Sequence, residues 1–124
     1  MDWVNILHAY QPPDWDPKIV DRVAHESYGP LAAFLEANAG VKVTLNLTGS
    51  LCEQLAARGQ RGLLRRFGGL ARRGQIEFMT TPKYHALLPL VTPEELGRQV
   101  AQNNEALHAY LGLPDAPTGF FPPE

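Results

Sequence analysis

From Val41 to Leu47 every second residue is aliphatic: Val41, Val43, Leu45 and Leu47 share one side, and Lys42, Thr44 and Asn46 the other. A helix repeats its apolar positions every three to four residues, so this strict period of two is a β-strand with two unlike faces. Upstream, Trp3 to His8 is a short apolar run broken by Gln11-Pro12-Pro13, the pattern of a strand buried on both faces. Downstream, Gln75 to Thr80 alternates again, with Ile76 and Phe78 opposite Glu77 and Met79, and Thr118 to Phe121 forms a short fourth strand.

Helical patterns separate these strands. Asp16-Pro17 supplies an N-cap followed by a first-turn proline, and Ile19, Val20 and Val23 then recur at helical spacing. Gly29-Pro30 interrupts that helix and starts a second one through Leu31, Phe34 and Leu35. Ser50 with Glu53 reads as a capping box opening a helix that carries Leu51 and Leu55 to Gly59. The next helix holds Leu63, Leu64, Phe67 and Leu70 and stops at Gly74, its arginines forming a solvated face. Thr92-Pro93-Glu94-Glu95 launches a last helix, with Leu96, Val100, Leu107 and Leu111 toward the core and Gly112 at its end.

Strands alternating with helices make an α/β fold with a parallel sheet. The 124 residues amount to about four β/α units of one domain, half of the roughly 250 residues of a complete barrel. Hydrophobic residues at 44% and charged residues at 19% exclude a disordered chain. A net charge of −2 without a basic face argues against a nucleic-acid partner and for a neutral or weakly charged substrate. No segment approaches the ~20 apolar residues of a membrane span, and no leader pattern precedes Trp3, so a cytoplasmic protein without a membrane partner is expected. The single cysteine, Cys52, fits as buried apolar filler. The histidines lack a paired spacing, so neither metal nor other cofactor is expected.

In parallel α/β sheets, function gathers at the C-terminal ends of the strands. His8, Tyr10 and Gln11 follow the first strand, Asn46 and Thr48 end the second, His85 lies beyond the third and Glu124 beyond the fourth. Polar and aromatic residues thus converge on one rim.

Three segments carry a closer likeness: Leu7-His8-Ala9-Tyr10-Gln11-Pro12-Pro13, Gly74 to Met79 continuing to Tyr84-His85, and Gly119-Phe120-Phe121-Pro122-Pro123-Glu124. In content, order and spacing they resemble the first three sequence regions of glycoside hydrolase family 57, and Ser27 to Leu31 and Leu45 to Gly49 strengthen the resemblance. It implies the N-terminal portion of an incomplete seven-stranded parallel (β/α) barrel, in an enzyme that hydrolyses or transfers α-linked glucans with retention. It also maps the nucleophilic glutamate onto Glu124 and leaves the acid/base aspartate beyond the 124 residues. Phe121 stands where family members often carry tryptophan.

Retention needs two carboxyl groups about 5 to 5.5 Å apart, one attacking the anomeric carbon and one protonating the leaving oxygen. Glu124, stiffened by Pro122-Pro123, suits the first role; otherwise it is an ordinary terminal carboxylate. His8 is either a donor to a sugar hydroxyl or a satisfied core histidine. Tyr10, Gln11 and His85 are candidate sugar contacts, with Trp15 a further platform, and packing is the rival for each. Glu77 points into the barrel interior, where a carboxylate needs a partner such as His8; the rival is a plain surface charge. The expected partner is an α-glucan or oligosaccharide. Two other readings stand beside this one: a metal-dependent polysaccharide deacetylase-like barrel, and a non-catalytic carbohydrate-binding domain.

Overall fold

A computed structural model of the protein describes Met1 and residues 3–123. Four strands, β1 (Ile6–Ala9), β2 (Val43–Leu47), β3 (Ile76–Thr80) and β4 (Gly119–Phe120), form one sheet in the order β1-β2-β3-β4. Every pairing is parallel. The helices are α1 (Pro17–Val23), α2 (Gly29–Ala37), α3 (Gly49–Ala57), α4 (Arg61–Arg72) and α5 (Pro93–Leu111). A sequential parallel order with crossovers of one hand sends each connection to the same side of the sheet, whereas a doubly wound sheet reverses direction.

Burial follows that rule. Leu45, Leu47, Ile76 and Phe78 join Leu35, Leu51, Leu55, Leu64, Phe67 and Leu107 in one apolar core between sheet and helices. The opposite face carries Ile6, Thr44 and Glu77 in one register layer and His8, Asn46 and Met79 in the next. No described helix covers it, and Ile6 is 53% exposed. The expectation that the first strand is buried on both faces therefore needs correction: its apolar run meets the core only through Leu7 and Ala9. Hydrophobicity alone cannot say which side of a strand receives a layer.

Three local expectations also change. Gly29-Pro30 does not interrupt the first helix; Gly29 is itself helical, and a π-helical turn at Ala24–Tyr28 joins α1 to α2. Proline removes a backbone donor and crowds the carbonyl four residues before it, and the wider turn accommodates both. The cap of α3 is Thr48 rather than Ser50: its hydroxyl accepts from Leu51 N at 3.3 Å, and Ser50 donates to that hydroxyl at 3.2 Å. Glu53 reaches outward to Lys83 instead, at 2.7 Å.

On α5, Leu107 and Leu111 are buried as expected, but Leu96 and Val100 are only half-buried, and Gln99 and Asn103 take the inner face from the second turn to the middle of the helix. Both amides are used. Asn103 accepts from Gly49 N at 2.7 Å, and Gln99 accepts from Tyr84 N at 3.4 Å. Thr92 caps the helix through Glu95 N, and Gly112 closes it in the left-handed region at φ 68°.

Cys52 is fully buried in the core, and burial, with the nearby Glu53 charge, pushes its thiol up to about 12, so it stays protonated and inert. Among the described residues no helix is long and apolar enough to cross a membrane.

Helices α4 and α5 touch so closely at Gly68 that an added Cβ would lie 1.9 Å from the Leu111 carbonyl oxygen, whereas one at Gly69 would meet only the Arg72 guanidinium at 3.9 Å. The two neighbours should therefore respond with opposite signs. Gly69→Ala should stabilise by up to about 1 kcal/mol through helix propensity, and Gly68→Ala should destabilise by about 3 kcal/mol through overpacking against backbone. Thermal unfolding followed by circular dichroism checks both; equal midpoints for the two variants would remove the close approach.

Candidate active site

The C-terminal ends of the strands bring four rings together on the open side of the sheet. The His8 imidazole stacks on the Phe121 ring at 4.8 Å between centroids and 4° between planes. On its other contact it meets the His85 ring at 4.7 Å, tilted by 41°. His85 in turn stacks on Tyr10 at 4.8 Å and 15°. The chain Phe121–His8–His85–Tyr10 thus draws on the ends of β1 and β4 and the loop after β3, segments 36 to 113 residues apart in sequence. Each such ring pair contributes about 0.5 to 1.5 kcal/mol beyond its burial.

Asn46, fully buried on β2, sits beneath this row. Its Nδ2 donates to the Met79 carbonyl at 3.2 Å, which turns its Oδ1 toward His8 Nδ1 at 2.7 Å. A carbonyl only accepts, so the amide orientation is settled, and His8 Nδ1 must carry the proton. Among the described residues, His8 Nε2 makes no hydrogen bond.

The segment that brings Phe121 is held on both sides. Its amide donates to the Thr80 carbonyl at 2.8 Å, and its carbonyl accepts from the Thr81 hydroxyl at 2.9 Å. Behind it, Thr80 donates to Asn104 at 2.6 Å and receives Asn103 at 3.4 Å. The loop carrying His85 is pinned likewise. Ser50 N donates to the Lys83 carbonyl at 3.4 Å, Lys83 N donates to Gln99 O at 3.3 Å, and Lys83 Nζ pairs with Glu53. Burial acts to lower the Lys83 ammonium, but the Glu53 contact and charge, with Tyr84 beside it, hold it above its ordinary value. His85 adopts φ 55°, left-handed backbone uncommon for a side-chain-bearing residue, and its amide donates to Pro82 O at 3.0 Å.

Of the residues expected at the rim, His8, Tyr10 and His85 are in ring contact with one another. Burial, helped by the Asp14 charge, pushes the Tyr10 phenol above its usual value, so it is a neutral hydroxyl that donates and accepts. Gln11 is turned to the helices: its Nε2 donates to the Tyr28 hydroxyl at 3.4 Å, and its carbonyl accepts from Gln54 at 2.8 Å. Trp15 is 55% exposed in a separate cleft with Pro13, Pro17 and Arg58.

Glu77 does face the same side of the sheet as His8, but it is exposed, and Asn46 takes the contact to His8 that was expected of it. The register explains this. Glu77 pairs with Thr44 and His8 with Asn46, so the two lie a layer and two strands apart, about 12 Å between Cα atoms from ideal strand spacings. That exposed carboxylate lies beside a shallow cleft shared with Trp3, Lys42 and Thr44. Glu124, the expected nucleophile, lies outside the described residues.

Two roles escape sequence reasoning, although the sequence already places Asn46 at the rim. Asn46 alternates with leucines as any solvent-facing polar residue does, and only its complete burial reveals a partner requirement. Phe121 reads as the end of an apolar strand. Among the described residues no group of three His, Cys, Asp or Glu side chains is arranged to hold a metal ion.

A parallel sheet whose strand ends gather histidine, phenol and amide groups on one rim has the arrangement in which α/β folds place their ligand sites. Its family is glycosyl hydrolase family 57, to which the chain belongs, since the family model matches residues 2–124. The fold is similar to that of the 4-alpha-glucanotransferase from Thermococcus litoralis, with TM-score 0.81 and 23% identity over 88% of this chain and 17% of that one. It is also similar to the GH57-type branching enzyme from Pyrococcus horikoshii (TM-score 0.81, 20% identity, 97% and 34% of the two chains). A third similar structure is the alpha-amylase AmyC from Thermotoga maritima (TM-score 0.81, 17% identity, 97% and 35%). The 124 residues thus span between about a sixth and a third of these chains. No curated protein matches the chain.

The left-handed backbone at His85 yields a stability test. Alanine there keeps the strain of a Cβ in this region, and glycine removes it. His85→Gly should therefore unfold at a higher temperature than His85→Ala, by about 1 kcal/mol in free energy. The opposite order in calorimetry would place His85 in ordinary backbone.

Proposed function

We propose that this chain is the front portion of a retaining glycosidase or glucanotransferase acting on α-linked glucan, with Glu124 as the nucleophile. The observation that carries the proposal is the ring row Phe121–His8–His85–Tyr10 at the strand ends, clamped at Phe121, three residues before Glu124. Family membership and the likeness to glucan-active enzymes support it.

The chemistry follows from what such a rim offers. Aromatic faces suit the apolar faces of pyranose rings, while His8 Nε2 and the Tyr10 hydroxyl suit sugar hydroxyls. The Glu124 carboxylate attacks the anomeric carbon and expels the leaving oxygen, which takes its proton from an aspartate outside the 124 residues. Water, or the hydroxyl of a second sugar, then attacks the glycosyl-enzyme. The first acceptor gives hydrolysis and the second gives transfer, both with retention. The setting is cytoplasmic.

In the complete protein, Glu124→Gln removes the attacking charge at constant size. Its kcat on an α-glucan should fall by a factor on the order of 10³ or more with KM little changed. A glutamate that only bound sugar would instead raise KM and leave kcat within about tenfold. Glu124→Ala with azide and an activated substrate should yield the inverted glycosyl azide. Near-normal hydrolysis by Glu124→Ala without azide would remove Glu124 from the chemistry.

A further inference from the structure

Position 46 falls on the polar side of the β2 alternation, where solvent would ordinarily satisfy a side chain. An amide there, fully buried, requires polar partners for both ends. It has them in two directions: the Met79 carbonyl on β3 takes its Nδ2, and His8 on β1 meets its Oδ1. The three residues occupy one register layer, His8↔Asn46↔Met79, so the amide ties three neighbouring strands side by side.

The consequence falls on His8. In water a neutral histidine side chain favours the proton on Nε2. Here Asn46 Oδ1 is an acceptor at 2.7 Å from Nδ1, and the Met79 carbonyl prevents the amide from flipping. Phe121, stacked at 4° to the ring, restrains its plane. We propose that Asn46 is a positioning residue: it holds His8 as the Nδ1–H tautomer, so that Nε2 is presented as an acceptor on the open side of the sheet. This rests on the rim being the sugar site. There a lone pair on Nε2 accepts from a substrate hydroxyl, which the opposite tautomer cannot do. Among the described residues, the titratable groups facing His8 are His85, in ring contact, and Tyr10 beyond it, and no ion pair involves His8.

Nitrogen-15 NMR of the imidazoles, with His8 assigned through a His8→Gln variant, reads the tautomer directly in the full-length protein, whether or not it is active. Wild type should show Nδ1–H at His8, and Asn46→Leu should revert to Nε2–H, with kcat/KM on an α-glucan reduced about 10- to 100-fold. Asn46→Asp keeps an acceptor and adds a charge. It should retain Nδ1–H and recover part of the activity that Asn46→Leu loses. An Nε2–H tautomer in wild type, or an unchanged tautomer in Asn46→Leu, overturns the assignment. Should Asn46→Leu fail to fold, an Nε2–H tautomer at His8 in Asn46→Asp overturns it equally. Expected tautomers in a wild-type protein that leaves α-glucans untouched would support the role of Asn46 on His8 and remove the glucan reading instead.

Discussion

Alternation within four parallel strands is the constraint on which the rest of the structure depends. Because the register is in step from β1 to β3, residues of like kind fall into rows: Leu7, Leu45 and Phe78 toward the helices, and His8, Asn46 and Met79 away from them. A slip of one residue in β1, β2 or β3 would turn core side chains outward and bury His8, Asn46 or Glu77 among apolar ones. Core and candidate site are thus the two sides of one pattern.

A second network holds the rim in shape. Thr48 caps α3, Gly49 donates to Asn103, Asn103 reaches Thr80, and Thr81 clamps Phe121. These groups are buried and nearly all polar, and their bonds join the ends of β2 and β3 to the start of α3, the middle of α5 and the segment after β4. Unpaired, such groups cost more than an apolar replacement would, so the network has few alternative arrangements that satisfy it. That is how short loops present His85 and Phe121 to His8 from distant parts of the chain.

Much of this was legible in residue order. The period of two marked β2 and β3, the Asp16-Pro17 and Thr92-Pro93 pairs marked helix starts, and Gly112 marked a helix end, because these signals act within one turn of the backbone. The readings that changed all depended on a non-local neighbour. Ser50 lost the cap to Thr48 because β2 ends one residue before it, Leu96 and Val100 ceded the inner face of α5 to Gln99 and Asn103, and Gln11 turned to Tyr28. Glu77 and His8 share a face yet belong to different layers, a distinction that needs the pairing register.

By itself the sequence determined the element order, the parallel α/β class, the family and the rim to which His8, Tyr10 and His85 belong, since periodicity, caps and local motifs are properties of neighbouring residues. Only the tertiary structure decided which side of β1 stays uncovered, that the rings of His8, His85, Tyr10 and Phe121 form one row, and that Asn46 rather than Glu77 meets His8. The physical reason is that ring stacking and a 2.7 Å hydrogen bond act over a few ångströms between residues 38 positions apart. Strand register and loop closure, not local preference, set those distances.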